Sequence, residues 1–211
     1  MKITWFGHTC FTFSEDHLST VLTDPYMRSA EGRKAFKARA DIVTVSRNGN
    51  GNSILAELNG KPFVIDGAGE YELGGVFITG VQTNRKALGE RNTLFVYHYN
   101  ELTIAHMGIL ERLPTQKEIE QLGEINIALV PVGVTESWNP AKAAELVSML
   151  EPDYVIPMAY GRNPENGKQS GLKKFLKAMG TDSAQQMDVF SLRSDASAEA
   201  DETTLVVLNE Q

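Results

Sequence analysis

The sequence predicts an α/β fold of the α+β kind, a layered domain built on mixed sheets. Three observations carry that prediction. Short runs of β-branched and aromatic residues fill the first half, with KITWF at 2–6, CFTFS at 10–14, TVLTD at 20–24 and DIVTVS at 41–46. The second half changes rhythm, and the apolar run INIALVPV at 125–132 is followed by the helical pattern AKAAELVSML at 141–150. No segment repeats at a fixed period, so a solenoid or propeller is excluded.

The elements follow in order. After the early strands, a small basic helix is expected around 31–38, and then the strand at 41–46. PFVID at 62–66, YELGG at 71–75 and VFITGV at 76–81 continue the β pattern, with glycines as punctuation. NTLFVYHYN and ELTIAHM, at 92–100 and 101–107, predict a hairpin turning at Asn100-Glu101. Thr115 and Glu118 have capping-box spacing and open a helix carrying Ile119 and Leu122 on one face. Asn139-Pro140 is an N-cap followed by proline in the first turn. DYVIPM at 153–158 reads as a buried strand. Leu172, Phe175, Leu176 and Met179 fall on one helical face, and Gly180 closes that helix. Strands near 187–192 and 203–208 finish the chain, which is expected to form one domain over 1–211 with its sheets dividing near residues 85–105.

Bulk composition narrows the function classes. The chain has 211 residues, enough for a sizeable core, with 42% apolar and 22% charged residues, as in ordinary globular proteins. A formal charge of −7, with no Lys/Arg run longer than two, excludes a nucleic-acid partner as the expectation. A lone cysteine, Cys10, rules out an internal disulfide and a cysteine zinc cluster. No apolar stretch reaches the length of a membrane span. A cytoplasmic protein with no membrane partner is expected.

The unusual stretch is Arg47-Asn48-Gly49-Asn50-Gly51-Asn52, a polar, glycine-rich loop directly after the strand DIVTVS. In α/β folds the carboxyl ends of strands carry the chemistry. Two Asn-Gly pairs also suit an ordinary turn, since both residues tolerate positive φ.

Several phrases, taken together and in order, resemble the metallo-β-lactamase-fold hydrolases. They are WFGHTCF at 5–11, LTDPY at 22–26, DIVTVS, GAGEYELGGVFITGV at 67–81, RNTLFVY at 91–97, HMG at 106–108, ALVPVG at 128–133 and VIPMAYG at 155–161. Within that family the compact branch similar to ascorbate-6-phosphate lactonase fits best. The resemblance implies a four-layer αββα sandwich with a metal cleft at the strand ends. It also implies where ligands belong. The His-x-His-x-Asp-His positions fall on Arg47, Gly49, Gly51 and Asn52. The next histidine falls on Asn84 or Arg85, the bridging aspartate on Ile109 and the last histidine on Ala159. None of these is a ligand of the implied kind. A guanidinium roughly 4 Å from a dication would repel it by about 8 kcal/mol at an effective dielectric near 20.

The expectation that follows is a metal-free pseudoenzyme without cofactor and without an assigned catalytic residue, binding an unidentified small ligand or protein partner. Its binding residues would be Arg47, Asn48, Asn50, Asn52, Arg85 and His106, with the two arginines at the ends of neighbouring strands offering forked donors to an anion. Two alternatives stand beside it. One is a lactonase- or phosphoesterase-like hydrolase working in the same cleft by a non-standard mechanism. The other is an oligomeric structural subunit, a homo-oligomer among the options. His8 is expected to be a structural hydrogen-bonder, and His17 and His98 surface or edge residues. Asp24 and Glu70 are expected to anchor loops. No nucleophile elbow or Walker loop is present.

Overall fold

The computed structural model describes residues 1–25, 39–47, 58, 60–85, 90–133, 137–160, 170–182, 184–192 and 202–211. The described residues form two sheets, and strand numbers below follow the chain. In the first sheet, β1 (Lys2–Trp5) and β2 (Phe11–Ser14) alternate, burying Ile3, Trp5, Phe11 and Phe13 while their neighbours are more open. Beside them lie β3 (Val21–Thr23), β4 (Ile42–Thr44) and β5 (Phe63–Ile65), parallel to one another. A strand from far along the chain, β13 (Val189–Ser191), closes the other edge by pairing antiparallel with β1, Ile3 opposite Phe190.

The second sheet has eight strands. Its antiparallel part is β6 (Gly69–Leu73), β7 (Val76–Arg85), β8 (Glu90–Tyr99) and β9 (Leu102–His106). Its parallel part continues through β10 (Ile127–Pro131), β11 (Tyr154–Met158), β14 (Thr204–Leu208) and β12 (Gln185–Met187). The expected hairpin at Asn100-Glu101 is present, with Tyr99 paired to Leu102. The sheets do not divide near 85–105. The chain passes from one to the other between Ile65 and Gly69, and β13 later returns to the first sheet. The turn at 66–68 is short, so local pattern does not distinguish it from a hairpin within one sheet.

The sheets face each other across a core that joins Ile3, Phe13 and Ile42 to Ile78, Phe95, Leu129 and Ile156. Two tyrosines tie the layers with polar links: Tyr97 and Thr44 share a 2.6 Å hydroxyl hydrogen bond, and Tyr99 donates to Ser19 O at 2.8 Å. Such satisfied buried links fix how the sheets sit without leaving an unpaired group.

The outer face of the second sheet is covered by helices. Helix α1 (Gln116–Glu120) opens with the expected capping box of Thr115 and Glu118. Helix α2 (Pro140–Leu150) starts where Asn139 Oδ1 accepts from the Ala141 and Lys142 amides. Its buried residues, Ala143, Leu146, Val147 and Leu150, recur at helical spacing and pack with Trp138, Val96, Ala128 and Val130. Every residue of β10 is buried because it lies between this layer and the inter-sheet core. Helix α3 (Ser170–Ala178) ends as the glycine predicts: Gly180, at φ 77°, sends its amide to Lys177 O, and Thr181 sends its amide to Leu176 O. The outer face of the first sheet carries a smaller cluster of Cys10, Leu22, Val43, Val45 and Leu58. The basic helix expected at 31–38 lies outside the described residues. No helix among the described residues is long and apolar enough to cross a membrane.

Candidate active site

Both parallel runs, β3–β4–β5 and β9–β10–β11, end on the same side of the sandwich, and the chain becomes irregular there. Six non-glycine residues have left-handed backbone among those described. His17, Asn100 and Glu151 have local reasons, being a turn residue, a hairpin corner and a helix C-cap. The other three, His8 (φ 52°), Asp24 (φ 41°) and Ala159 (φ 54°), come together at the strand ends. The Ala159 amide donates to His8 O at 3.1 Å, and Asp24 is close enough to act on the His8 ring electrostatically. Each left-handed residue costs about 1–3 kcal/mol, and such strain gathers where a surrounding framework imposes it.

That framework is a web of short hydrogen bonds. Asp24 follows β3 directly and accepts from Ser46 twice, Oδ1 from the backbone amide and Oδ2 from Oγ, both at 2.6 Å. Thr23 Oγ1 donates to Thr9 O at 2.8 Å and accepts from the Phe11 amide at 3.0 Å. Ser46 O accepts from the Thr93 amide at 2.7 Å, and Arg47 forms a single β-bridge to Asn92. Buried Asn92 donates to Thr83 Oγ1 and Met107 O and accepts from the Ile109 amide at 2.9 Å. Gly108 (φ 58°) must be glycine here, because a Cβ would lie 2.3 Å from Asn92 Oδ1 and 3.1 Å from Ser46 Oγ.

Two histidines meet this web. His106 is buried, and its Nε2 donates to Thr9 O at 2.9 Å. The neutral ring therefore carries its proton on Nε2, and Nδ1 is left as an acceptor with no hydrogen-bond partner. Burial holds its pKa below the ordinary value, against the pull of Asp24, whose Oδ2 lies 3.9 Å away, and of Thr9 O. His8 is exposed at the mouth of the cleft, with Nδ1 3.1 Å from Thr9 Oγ1. Desolvation against the cleft wall, then the Arg47 charge, lower its pKa, while Asp24 opposes them.

The expected site residues are only partly brought together. Arg47 is half-buried, and its charge reaches both His8 and His106. Arg85 ends β7, but not a strand beside Arg47: its backbone pairs with Glu90 where residues 86–89 connect β7 to β8, and β8 lies between it and Arg47. Asn48, Gly49, Asn50, Gly51 and Asn52 lie outside the described residues. Ile109 and Ala159 are buried. His106 is bonded into the wall of the cleft. Asp24 anchors a loop as expected, whereas Glu70 is an exposed residue of β6. Asn92 was not anticipated; an asparagine inside the strand pattern RNTLFVY was the available signal, since a polar amide there needs a special partner.

The described residues do not by themselves make a site for a bound dication. Among the described residues no three of His, Cys, Asp and Glu are grouped to hold a metal ion. Asp24 accepts from Ser46 through both carboxylate oxygens, and His106 has given Nε2 to Thr9 O, so that Nδ1 is its one uncommitted nitrogen. The loop sequence 48–57, NGNGNSILAE, adds one glutamate and no His, Cys or Asp.

Comparison with known proteins places the fold. A UPF0173 protein of Pyrococcus abyssi is 24% identical over 200 residues, covering 84% of this chain and 91% of its own length. A UPF0173 metal-dependent hydrolase of Koribacter versatilis is 23% identical over 215 residues, covering 84% of this chain and 92% of its own. A solved structure from Thermotoga maritima, assigned as a Zn-dependent hydrolase of the metallo-β-lactamase superfamily, superimposes with a TM-score of 0.80 at 32% identity, covering 98% of this chain and 97% of that one. These relatives overturn the expectation of a pseudoenzyme without hydrolase activity. That expectation equated missing ligand types with missing function. Residues 2–159 match the beta-lactamase superfamily domain, and the chain belongs to that superfamily, with the metallo-β-lactamase fold.

Proposed function

We propose that the protein is a hydrolase of small ester-type substrates, lactones or phosphoesters, acting in the cleft bounded by His8, Asp24, Arg47 and His106. The names of its relatives as metal-dependent hydrolases support the reaction class. One observation carries the chemistry: an exposed imidazole, His8, is kept neutral by its surroundings yet lies within the influence of the Asp24 carboxylate. A neutral imidazole is a competent general base near neutral pH. His8 takes a proton from a water as that water's oxygen attacks the carbonyl carbon or phosphorus. The imidazolium, stabilised by Asp24, then returns the proton to the leaving oxygen. The carbonyl of His8 does the structural work expected of this residue, accepting from Trp5 Nε1 at 3.0 Å and from the Ala159 amide.

A panel of lactone, phosphodiester and thioester substrates tests the reading. His8→Gln is expected to lower kcat about 10²–10⁴-fold with KM little changed. Turnover of none of them, or turnover indifferent to His8→Gln, overturns it. Because the described residues hold no group of donors suited to a dication, activity is expected to survive exhaustive chelation. Loss on chelation with recovery on adding zinc would refute the metal-independent route while leaving the reaction class standing.

A further inference from the structure

We propose that Arg47 is the residue that recognises the substrate, and that the substrate carries an oxyanion, a carboxylate or a phosphate. The proposal rests on the hydrolase reading and names its substrate class. Its footing is geometric. Ser46, immediately before Arg47, is clamped on three sides, its amide and Oγ by Asp24 and its carbonyl by the Thr93 amide. Arg47 itself bridges Asn92, whose side chain is locked by Thr83, Met107 and Ile109. The backbone that launches this side chain is therefore among the best-held segments of the cleft.

Among the described residues no carboxylate lies within ion-pair distance of Arg47, although Asp24 stands at the end of the adjacent strand, β3. Asp24 instead spends both oxygens on Ser46. Elsewhere the chain does pair a partly buried arginine: Arg112 grips Glu118 through two hydrogen bonds of 2.8 and 2.7 Å. A half-buried arginine with no ion pair among the described residues, beside two neutral histidines in a chain of net charge −7, is a positive point in an acidic molecule. It offers a planar fork of donors that matches carboxylate and phosphate oxygens. The depressed pKa values of His8 and His106 agree, since Arg47 contributes to both.

The geometry also makes the site report on itself. An anion seated on Arg47 cancels the charge that depresses His8, so anion binding and His8 titration are coupled. The experiment measures the His8 pKa by the NMR shift of its ring proton, with and without inorganic phosphate, acetate or uncharged glycerol. Wild-type protein, Arg47→Lys and Arg47→Gln are compared. Phosphate and acetate are expected to raise the His8 pKa in wild type, and glycerol to leave it unchanged. Arg47→Gln is expected to raise the His8 pKa by itself and to weaken phosphate binding about 10–100-fold. Arg47→Lys is expected to retain the charge effect while binding more weakly than wild type. A His8 pKa unmoved by both anions in the wild-type protein overturns the proposal, as does equal phosphate affinity in Arg47→Gln. If neutral lactones turn over while no anion binds, the substrate assignment falls and the hydrolase reading stands. Anion binding without turnover of any substrate has the opposite meaning.

Discussion

The outer face of the second sheet and the cleft rim share strands β8, β9 and β11, yet they solve opposite problems. Under α2, polar groups are relaxed and satisfied: Trp138 is fully buried, and its indole nitrogen donates to Pro131 O at 2.7 Å. Asn139 caps the helix, and the apolar residues recur at helical spacing. At the rim, three residues hold left-handed backbone, a buried imidazole nitrogen has no partner, and a carboxylate spends both oxygens on one serine. The first region stores stability, and the second consumes some of it to hold side chains in fixed places. The same protein can do both because the framework of the first over-determines the second.

The largest break in this contrast is expected from Trp138→Ala. Removing a fully buried indole should cost about 3–5 kcal/mol, read as a lower urea midpoint, with the cleft chemistry of surviving folded protein unchanged. Gly108→Ala should cost about 2–3 kcal/mol, since the new methyl meets both Asn92 and Ser46 at a positive φ, and it should also lower activity by shifting the Ser46–Arg47 segment. Unaltered kinetics in Gly108→Ala would show that the web does not position the cleft. Ala159→Gly runs the other way. Relief of the left-handed strain should stabilise the protein by about 0.5–1 kcal/mol, net of the added chain entropy, and loss of stability instead would mean that the strain reading is wrong.

Two pH experiments sharpen the picture further. The rate should fall on the acid side with an apparent pKa below the ordinary 6.5 of histidine, because burial and Arg47 disfavour the charged ring of His8. In Arg47→Gln this limb should move to higher pH. The smallest effect is structural. Hydrogen bonds from Arg112, then those of Thr115, hold the Glu118 carboxyl down to about 2, against 4.5 unfolded. That contribution is fully present above pH 4.5 and is lost as pH falls towards 2, so Arg112→Ala should flatten the acid side of the stability profile.

Much of the relaxed region was legible in the sequence because its signals are local. Asn139-Pro140, Thr115 with Glu118, Gly180 and the Asn100-Glu101 corner each announce an element within four residues, and each is present. The division of the sheets was not legible. It depends on β13 crossing back to β1 and on a short turn at 66–68, and neither leaves a periodic trace. The cleft was half legible. Arg47 stood out by chemistry and Asp24 by its place after a buried strand. The exposure of the His8 ring, the wall position of His106 and the locking role of Asn92 come from contacts between residues 9 and 106, 24 and 46, and 92 and 109, which no local spacing encodes.

The pairing of β1 with β13 has a kinetic consequence. Lys2 lies opposite Ser191, so the edge of the first sheet is finished by a strand that leaves the ribosome some 190 residues after the residue it meets. At about 5–20 residues per second, β1 waits on the order of ten seconds or more for its neighbour during synthesis. Until then its outer hydrogen-bonding edge is open, next to the apolar faces of Ile3 and Trp5. Pairings of such long sequence separation also form late in refolding, after their loop-closure entropy has been met. The nascent chain is therefore most exposed to aggregation and most dependent on chaperones in that interval, and cleft assembly, which needs the loop after β1, shares the delay.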